Sequence, residues 1–189
     1  MSAPTSVTLT ASYSGVSKAT SLTVNPTSAS FLGMDTTTQG NWRSTYNDTS
    51  VTIIGDSALK ASYVTITPSL QGSYVWASST TDIRALSKLS LPTSRIAAFW
   101  YSSNYFYVDI SLSDQSVHQL AIYSLDWNYL GRTERIDVLD ASTNAVLDTR
   151  TISNFTNGVY ALWNVTGHVR LRITRTGGKN AVISGIFLK

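Results

Sequence analysis

The residues from Val159 to Leu188 constrain this chain most. Between His168 and Thr174, Val169, Leu171 and Ile173 alternate with Arg170, Arg172 and Thr174. A period of two sends the two sets to opposite faces of a strand, so this segment reads as a half-buried β-strand. The run before it behaves the same way, with Val159, Ala161, Trp163 and Val165 on one face. Gly167 and the pair Gly177-Gly178 interrupt the alternation where turns are needed.

The rest of the chain repeats that pattern. Alternating or β-branched runs occur near 29–33, 51–54, 62–67, 73–77, 95–101, 105–112, 117–125, 133–139, 145–152, 158–163, 168–174 and 181–188. Turn signals separate them, among them Gly55-Asp56, Pro68, Gly72, Asn157-Gly158 and Gly177-Gly178. Short strands at such intervals predict an all-β, antiparallel β-sandwich or barrel. One helical turn is expected at Thr81–Leu86, capped by Thr80 or Thr81. Charged residues make up only 13% of the chain against 42% hydrophobic, which leaves enough apolar surface for a core. No apolar run approaches the ~20 residues of a membrane span.

Residues 5–25 stand apart. Ser6–Tyr13 alternates strictly, Ser14-Gly15 turns the chain, and Ala19–Val24 alternates again, which is a hairpin. Asn25-Pro26-Thr27 then has linker composition. The expected organisation is a hairpin plus linker over 1–27 and a sandwich module over 28–189. The opening Met1-Ser-Ala-Pro-Thr5 lacks a basic stretch leading into an apolar core, so no signal peptide is expected there. Cysteine is absent, so no disulfide contributes and compartment cannot be read from cysteine usage.

The ending Asn180-Ala-Val-Ile-Ser-Gly-Ile-Phe-Leu188 resembles the closing strand of galactose-binding-like (jelly-roll) β-sandwich modules. The segment Leu125–Asp140, with Asp126-Trp127 before Gly131 and a charged strand, resembles modules at the C-terminus of secreted bacterial multidomain proteins. The hairpin resembles the last two strands of a bacterial Ig-like repeat. These resemblances imply a jelly-roll fold, an extracellular location (secreted or cell surface) and neighbouring domains in a larger chain. They also imply a non-catalytic module that binds a polysaccharide or oligosaccharide. The alternative is a structural or adhesive spacer without a small ligand.

Sugar rings present flat C–H faces that stack on Trp and Tyr, so aromatic residues beside hydrogen-bonding side chains are the candidate site. Trp127 and Tyr129, flanked by Asp126, Asn128 and Arg132, form one such cluster. Tyr105 and Tyr107 form another: Phe106, Val108, Ile110 and Leu112 make a core face, so the two tyrosines point outward with Asp109. Trp42 and Trp127 sit in polar, loop-like settings and are the tryptophans expected nearer the surface. Trp100 and Trp163 sit in apolar strands and belong to the core. Arg132, Glu134, Arg135 and Asp137 read as cross-strand ion pairs. Glu134 is the one glutamate, and on the Ile136/Val138 face it turns inward, where a carboxylate requires an Arg partner.

Other chemistries leave weaker marks. The resemblance implies a structural Ca²⁺, with Asp35, Asp48, Asp56 and Asp82 as candidate ligands, yet no spacing matches a calcium loop. Two histidines and no cysteine argue against zinc. His118 and His168 read as ordinary hydrogen-bonded residues. No motif marks a glycosidase carboxylate pair, and no Gly-x-Ser-x-Gly elbow is present, so no enzyme is expected. The net charge of +3 is mixed, with arginines of the C-terminal third interleaved with acids, which disfavours nucleic acid as a partner. The Asn-x-Thr sequons at Asn47, Asn154 and Asn164 carry no assignment in a Thr-rich chain.

Overall fold

The computed structural model describes residues 5–24, 26–46, 49–114 and 116–189. The first strands are β1 (Thr5–Tyr13), β2 (Val16–Val24), β3 (Ser28–Asp35), β4 (Ser50–Ile53), β5 (Ala58–Leu59) and β6 (Val64–Ser69). They are followed by β7 (Gly72–Thr80), β8 (Leu86–Ser87), β9 (Arg95–Ser102), β10 (Tyr105–Leu112), β11 (His118–Ser124) and β12 (Thr133–Asp140). The chain closes with β13 (Val146–Ile152), β14 (Val159–Thr166), β15 (His168–Gly177), β16 (Ala181–Ile183) and β17 (Gly185–Leu188). All pairings are antiparallel, and the helical content among the described residues is one 3-10 turn at Trp42–Ser44. The chain is an all-β antiparallel sandwich.

Two sheets make its body. One orders β13-β12-β15-β10-β6, the other β3-β14-β11-β17-β4-β5. The alternation in β10 is realised residue by residue: Phe106, Val108, Ile110 and Leu112 are buried, and the residues between them are half-buried on the outer face. The inward residues of β10, β12 and β15 share one core with Leu120, Ile122, Trp163, Ile186 and Leu188 of the second sheet. That second sheet is covered on its other face too. Tyr123, Tyr160 and Phe187 pack under Tyr46 and Trp42, with the Tyr46 and Tyr160 ring centroids 4.4 Å apart. Burial on both faces explains why β17 reads as a continuous apolar run rather than an alternating one.

A third, smaller sheet carries the site. It orders β16-β9-β7, with β8 also paired to β9. The expected single strand at 181–188 is thus two strands in two sheets, broken at Ser184. The Ser184 N–H donates to the Tyr123 carbonyl (2.7 Å), and its carbonyl accepts from Ile54 N. The expected helical turn at Thr81–Leu86 is also corrected. Asp82 closes a tight turn, its carbonyl accepting from Ala85 N, and Leu86 pairs with Ile96 as strand. Arg84 clamps that turn through its guanidinium–Asp82 pair, which a helix would have separated.

The hairpin β1–β2 forms as expected, in register from Thr5–Val24 to Tyr13–Val16. Ser14 and Gly15 both sit at positive φ, the turn geometry that matches strand twist. Among the described residues neither strand pairs with the sandwich, and Val7, Leu9, Tyr13, Val16 and Leu22 are exposed. The following residues are attached: Thr166 Oγ1 donates to the Pro26 carbonyl (3.0 Å) and contacts Ser28 Oγ at 2.8 Å. Deleting residues 1–26 is therefore expected to preserve one cooperative thermal transition and to cost about 1 kcal/mol, the value of one such hydrogen bond. Loss of the transition would place the hairpin in the core.

Candidate functional site

The local chemistry of the third sheet builds a groove. On β7, Tyr74 and Trp76 fall two residues apart; on β9, Phe99 and Tyr101 do the same, and Tyr74 is register partner to Phe99. A β-bulge lies between Val75 and Ala77, where β9 advances one residue while β7 advances two. Trp76 is the extra residue, and a bulge re-aims the side chain it carries. The Trp76 ring stacks on Phe99 with centroids 3.7 Å apart. Gly72 stands opposite Tyr101, and a Cβ at Gly72 would meet the Tyr101 ring at 2.7 Å. The missing side chain is what lets that ring lie across the strand pair. Tyr74 is 56% exposed, and Trp76 and Tyr101 are half-buried.

The opposite wall comes from two turns. Asn128 and Arg132 come from the turn before β12, Lys179 and Asn180 from the turn before β16. These four and the four rings line a groove of about 360 Å³. The two turns are pressed together, since a Cβ at Gly178, which sits at φ +68°, would lie 2.7 Å from Arg132 Cα. Asp126 organises the first turn: its carboxylate accepts from Leu130 N (3.1 Å), Arg132 N (3.2 Å) and Arg132 Nη1. Arg132 is 2% exposed, and its Nε donates to Asn180 Oδ1 (2.7 Å) while Nη1 donates to Asn128 Oδ1. Its guanidinium carbon stands 5.3 Å from the Trp76 ring centroid, so the cation also meets the aromatic wall.

Beneath this wall lies Glu134, fully buried as its alternation predicts. Its partner is not an arginine. Ser124 Oγ donates to Oε1 (2.7 Å) and Val182 N to Oε2 (2.7 Å). Burial pushes this carboxyl up to about 7, because two neutral donors and the more distant Arg132 only partly offset the lost hydration. Of the expected cross-strand pairs, Arg135 meets Asp137 within β12 itself, and the partner that reaches Asp137 across strands is Arg172 of β15. Arg135 and Arg172 both contact Asp137 on the outer face of the five-stranded sheet, and Thr149 Oγ1 donates to the same carboxylate.

The residues expected to bind ligand are dispersed. Asn128 and Arg132 reach the groove; Asp126 lies buried behind them. Trp127 and Tyr129 belong to a different stack, with the Arg84 guanidinium 4.7 Å from one ring centroid and 5.2 Å from the other. Tyr105 and Tyr107 pack edge-to-face on the five-stranded sheet, beside Arg170. Trp42 is corrected outright: it is 0% exposed, with Nε1 donating to the Ser87 carbonyl (2.7 Å). A polar local sequence placed it near the surface, but the 3-10 turn folds back over Phe187 and buries it. Tyr74, Trp76, Lys179 and Asn180 line the groove and were not among the residues expected there. The i, i+2 spacing of Tyr74 and Trp76 was a local signal; that their face meets the Gly177-Gly178 turn was not.

The calcium candidates do not fit a cation site. Asp35 accepts from Thr37 N, Thr38 N and Tyr46 Oη, Asp56 from Leu89 N and Ser90, and Asp82 from Arg84. Asp48 lies outside the described residues. Among the described residues no three His, Asp or Glu side chains converge. His118 contacts Asp114 through Nε2 (2.9 Å) and stacks on Tyr63, while His168 faces Asp109. Among the described residues, no helix is long and apolar enough to cross a membrane.

No family profile and no curated protein sequence matches the chain. Among solved structures, the chain is similar to TmCBM61, determined in complex with β-1,4-galactotriose at 1.4 Å resolution. The identity is 10% and the TM-score 0.33, over 68% of this chain and 88% of that one. The assignment of an antiparallel sandwich rests on the strand pairing itself.

Proposed function

We propose that this chain is a non-catalytic carbohydrate-binding module of the jelly-roll, galactose-binding-like kind, working at the cell surface or in secretion beside other domains. One observation carries the reading. Three accessible rings, Tyr74, Trp76 and Tyr101, share one groove with polar groups that have unused hydrogen-bonding capacity. Rings supply the stacking platform for a sugar, and polar groups fix its orientation. Among the described residues no carboxylate lines the groove, and Asp126 and Glu134 are buried, which suits a binding module rather than a pair of carboxylates flanking a bond. Affinity is modest in this reading, on the order of micromolar to millimolar, because an open groove offsets only part of the cost of association.

Affinity electrophoresis against a panel of soluble polysaccharides tests it. Tyr74→Ala and Trp76→Ala are each expected to weaken retention by about tenfold or more, equivalent to ~1.4 kcal/mol. Tyr74 is the cleaner variant, because its exposed ring leaves little cavity. Trp127→Ala is expected to retain binding. Loss of binding in Trp127→Ala with retention in Tyr74→Ala would move the site to the Arg84 stack. No retention by any polysaccharide would leave the spacer reading in its place.

A further inference from the structure

Building on the carbohydrate reading, we propose that the groove selects an anionic saccharide, one bearing a uronate carboxylate or a sulfate ester. Arginine donates and never accepts. Arg132 Nε and Nη1 are aimed at Asn180 and Asn128, so each amide must turn its oxygen toward the guanidinium. Each amide therefore keeps its NH₂ group for the groove. Neither Nδ2 atom, nor Lys179 Nζ, has a protein acceptor among the described residues. The wall opposite the rings is thus donor-rich and carries the unpaired charge of Lys179.

The carboxylates that would balance it are spent, and the side-chain acceptors left on the ring side are the Tyr74 and Tyr101 hydroxyls, which also donate. Asp126 accepts from Leu130 N, Arg132 N and Arg132 Nη1, and both oxygens of Glu134 are taken by Ser124 and Val182. No carboxylate lines the groove among the described residues. A neutral sugar brings hydroxyls, each with a proton that needs an acceptor. A carboxylate or sulfate brings acceptors alone, and its bonds to Lys and to amide N–H groups are charge-assisted. Burial of Arg132 in a fixed fork between two amides means the wall is set before ligand arrives, as selective recognition requires.

Paired polymers decide it: polygalacturonate against its full methyl ester, and κ-carrageenan against its own desulfated form, all with the full chain. Tighter binding of the charged member by about tenfold or more in either pair is expected, with the responding pair identifying carboxylate or sulfate. That preference should shrink at high salt, as charge-assisted contacts do. Asn128→Asp still accepts from Arg132 but replaces the outward NH₂ by an oxygen, so it should erase the preference while sparing whatever binding the neutral member shows. Lys179→Gln should reduce the preference and its salt dependence. Tyr74→Ala must also lose the charged polymer. Retention there unchanged would mean attraction to the basic surface as a whole and would overturn the proposal. Equal binding of charged and neutral members, each lost in Tyr74→Ala, would overturn the anionic preference and leave the carbohydrate reading standing. No binding of any of the four polymers would overturn the anionic proposal, and the wider polysaccharide panel then decides the carbohydrate reading separately.

Discussion

Trp163→Ala is expected to lower stability by about 4–5 kcal/mol, the upper part of the range for a buried aromatic. Trp163 sits on β14, fully buried between the two large sheets, edge-to-face with Phe31 at 5.5 Å. Its Nε1 donates to Asp148 Oδ2 (2.7 Å) on β13, so one side chain joins both sheets of the sandwich. Alanine would leave a cavity and also remove one of the donors that hold the Asp148 carboxylate; Arg150 still pairs with it. Trp163→Phe should cost less, because it refills most of the volume and loses the hydrogen bond alone. Denaturant titration measures both. A cost under about 1 kcal/mol for the alanine variant would place Trp163 outside the core.

The second large effect is a pH dependence set by Glu134. Its carboxyl is held near 7 in the fold against an ordinary 4.5, so the folded state binds the proton more tightly than the unfolded state. Between these values the native chain carries more protons, and stability must fall as pH rises from about 4.5 to about 7. The full cost at alkaline pH is on the order of 3 kcal/mol, from 1.36 kcal/mol per pH unit. Glu134→Gln fits the same pocket. Its Oε1 can accept from Val182 N, and its amide can donate to a Ser124 hydroxyl that turns to accept. The variant is therefore expected to gain on the parent progressively up to pH 8 and to show no such slope itself. Asp35, Asp56 and Asp137 act at the other end of the scale. Burial raises each, but the donors around them outweigh it and hold them below the ordinary carboxylate range. Their stabilisation is present above about pH 4 and lost on further acidification. A stability difference between parent and Glu134→Gln that stays flat from pH 4.5 to 8 would exclude this account.

Local periodicity was enough for an all-β antiparallel chain, though not to choose a sandwich over a barrel. The two-residue alternation of β10 and β15 names the buried set and the outward set without reference to any other strand, because pleat geometry is a property of the strand alone. The same reasoning turned Glu134 inward and placed Trp163 in the core. Turn glycines such as Gly15 and Gly178 marked reversals because positive φ is cheap for few residue types. What alternation cannot register is which sheet a strand joins. Residues 181–188 look continuous, yet Ser184 divides them between two sheets through bonds to Tyr123 and Ile54, far away in the chain.

The candidate site depended on long-range placement. Asp126-Trp127-Asn128 looks like one surface cluster in sequence, but the turn sends Trp127 to Arg84 and Asn128 to the groove. Trp42 is polar in its neighbours and buried in space, since burial is decided by what folds over a residue and not by what flanks it. Tyr74 and Trp76 became a platform only when a bulge turned Trp76, Gly72 made room for Tyr101, and the turn at Gly178 closed against Arg132. Most strands, their faces and the inward carboxylate were legible from the sequence, each a matter of backbone period and neighbouring residues. The tertiary structure alone decided which rings share a groove and which hydrogen-bonding atoms face it. Those atoms come from β7, β9 and two separate turns, and only packing brings them together.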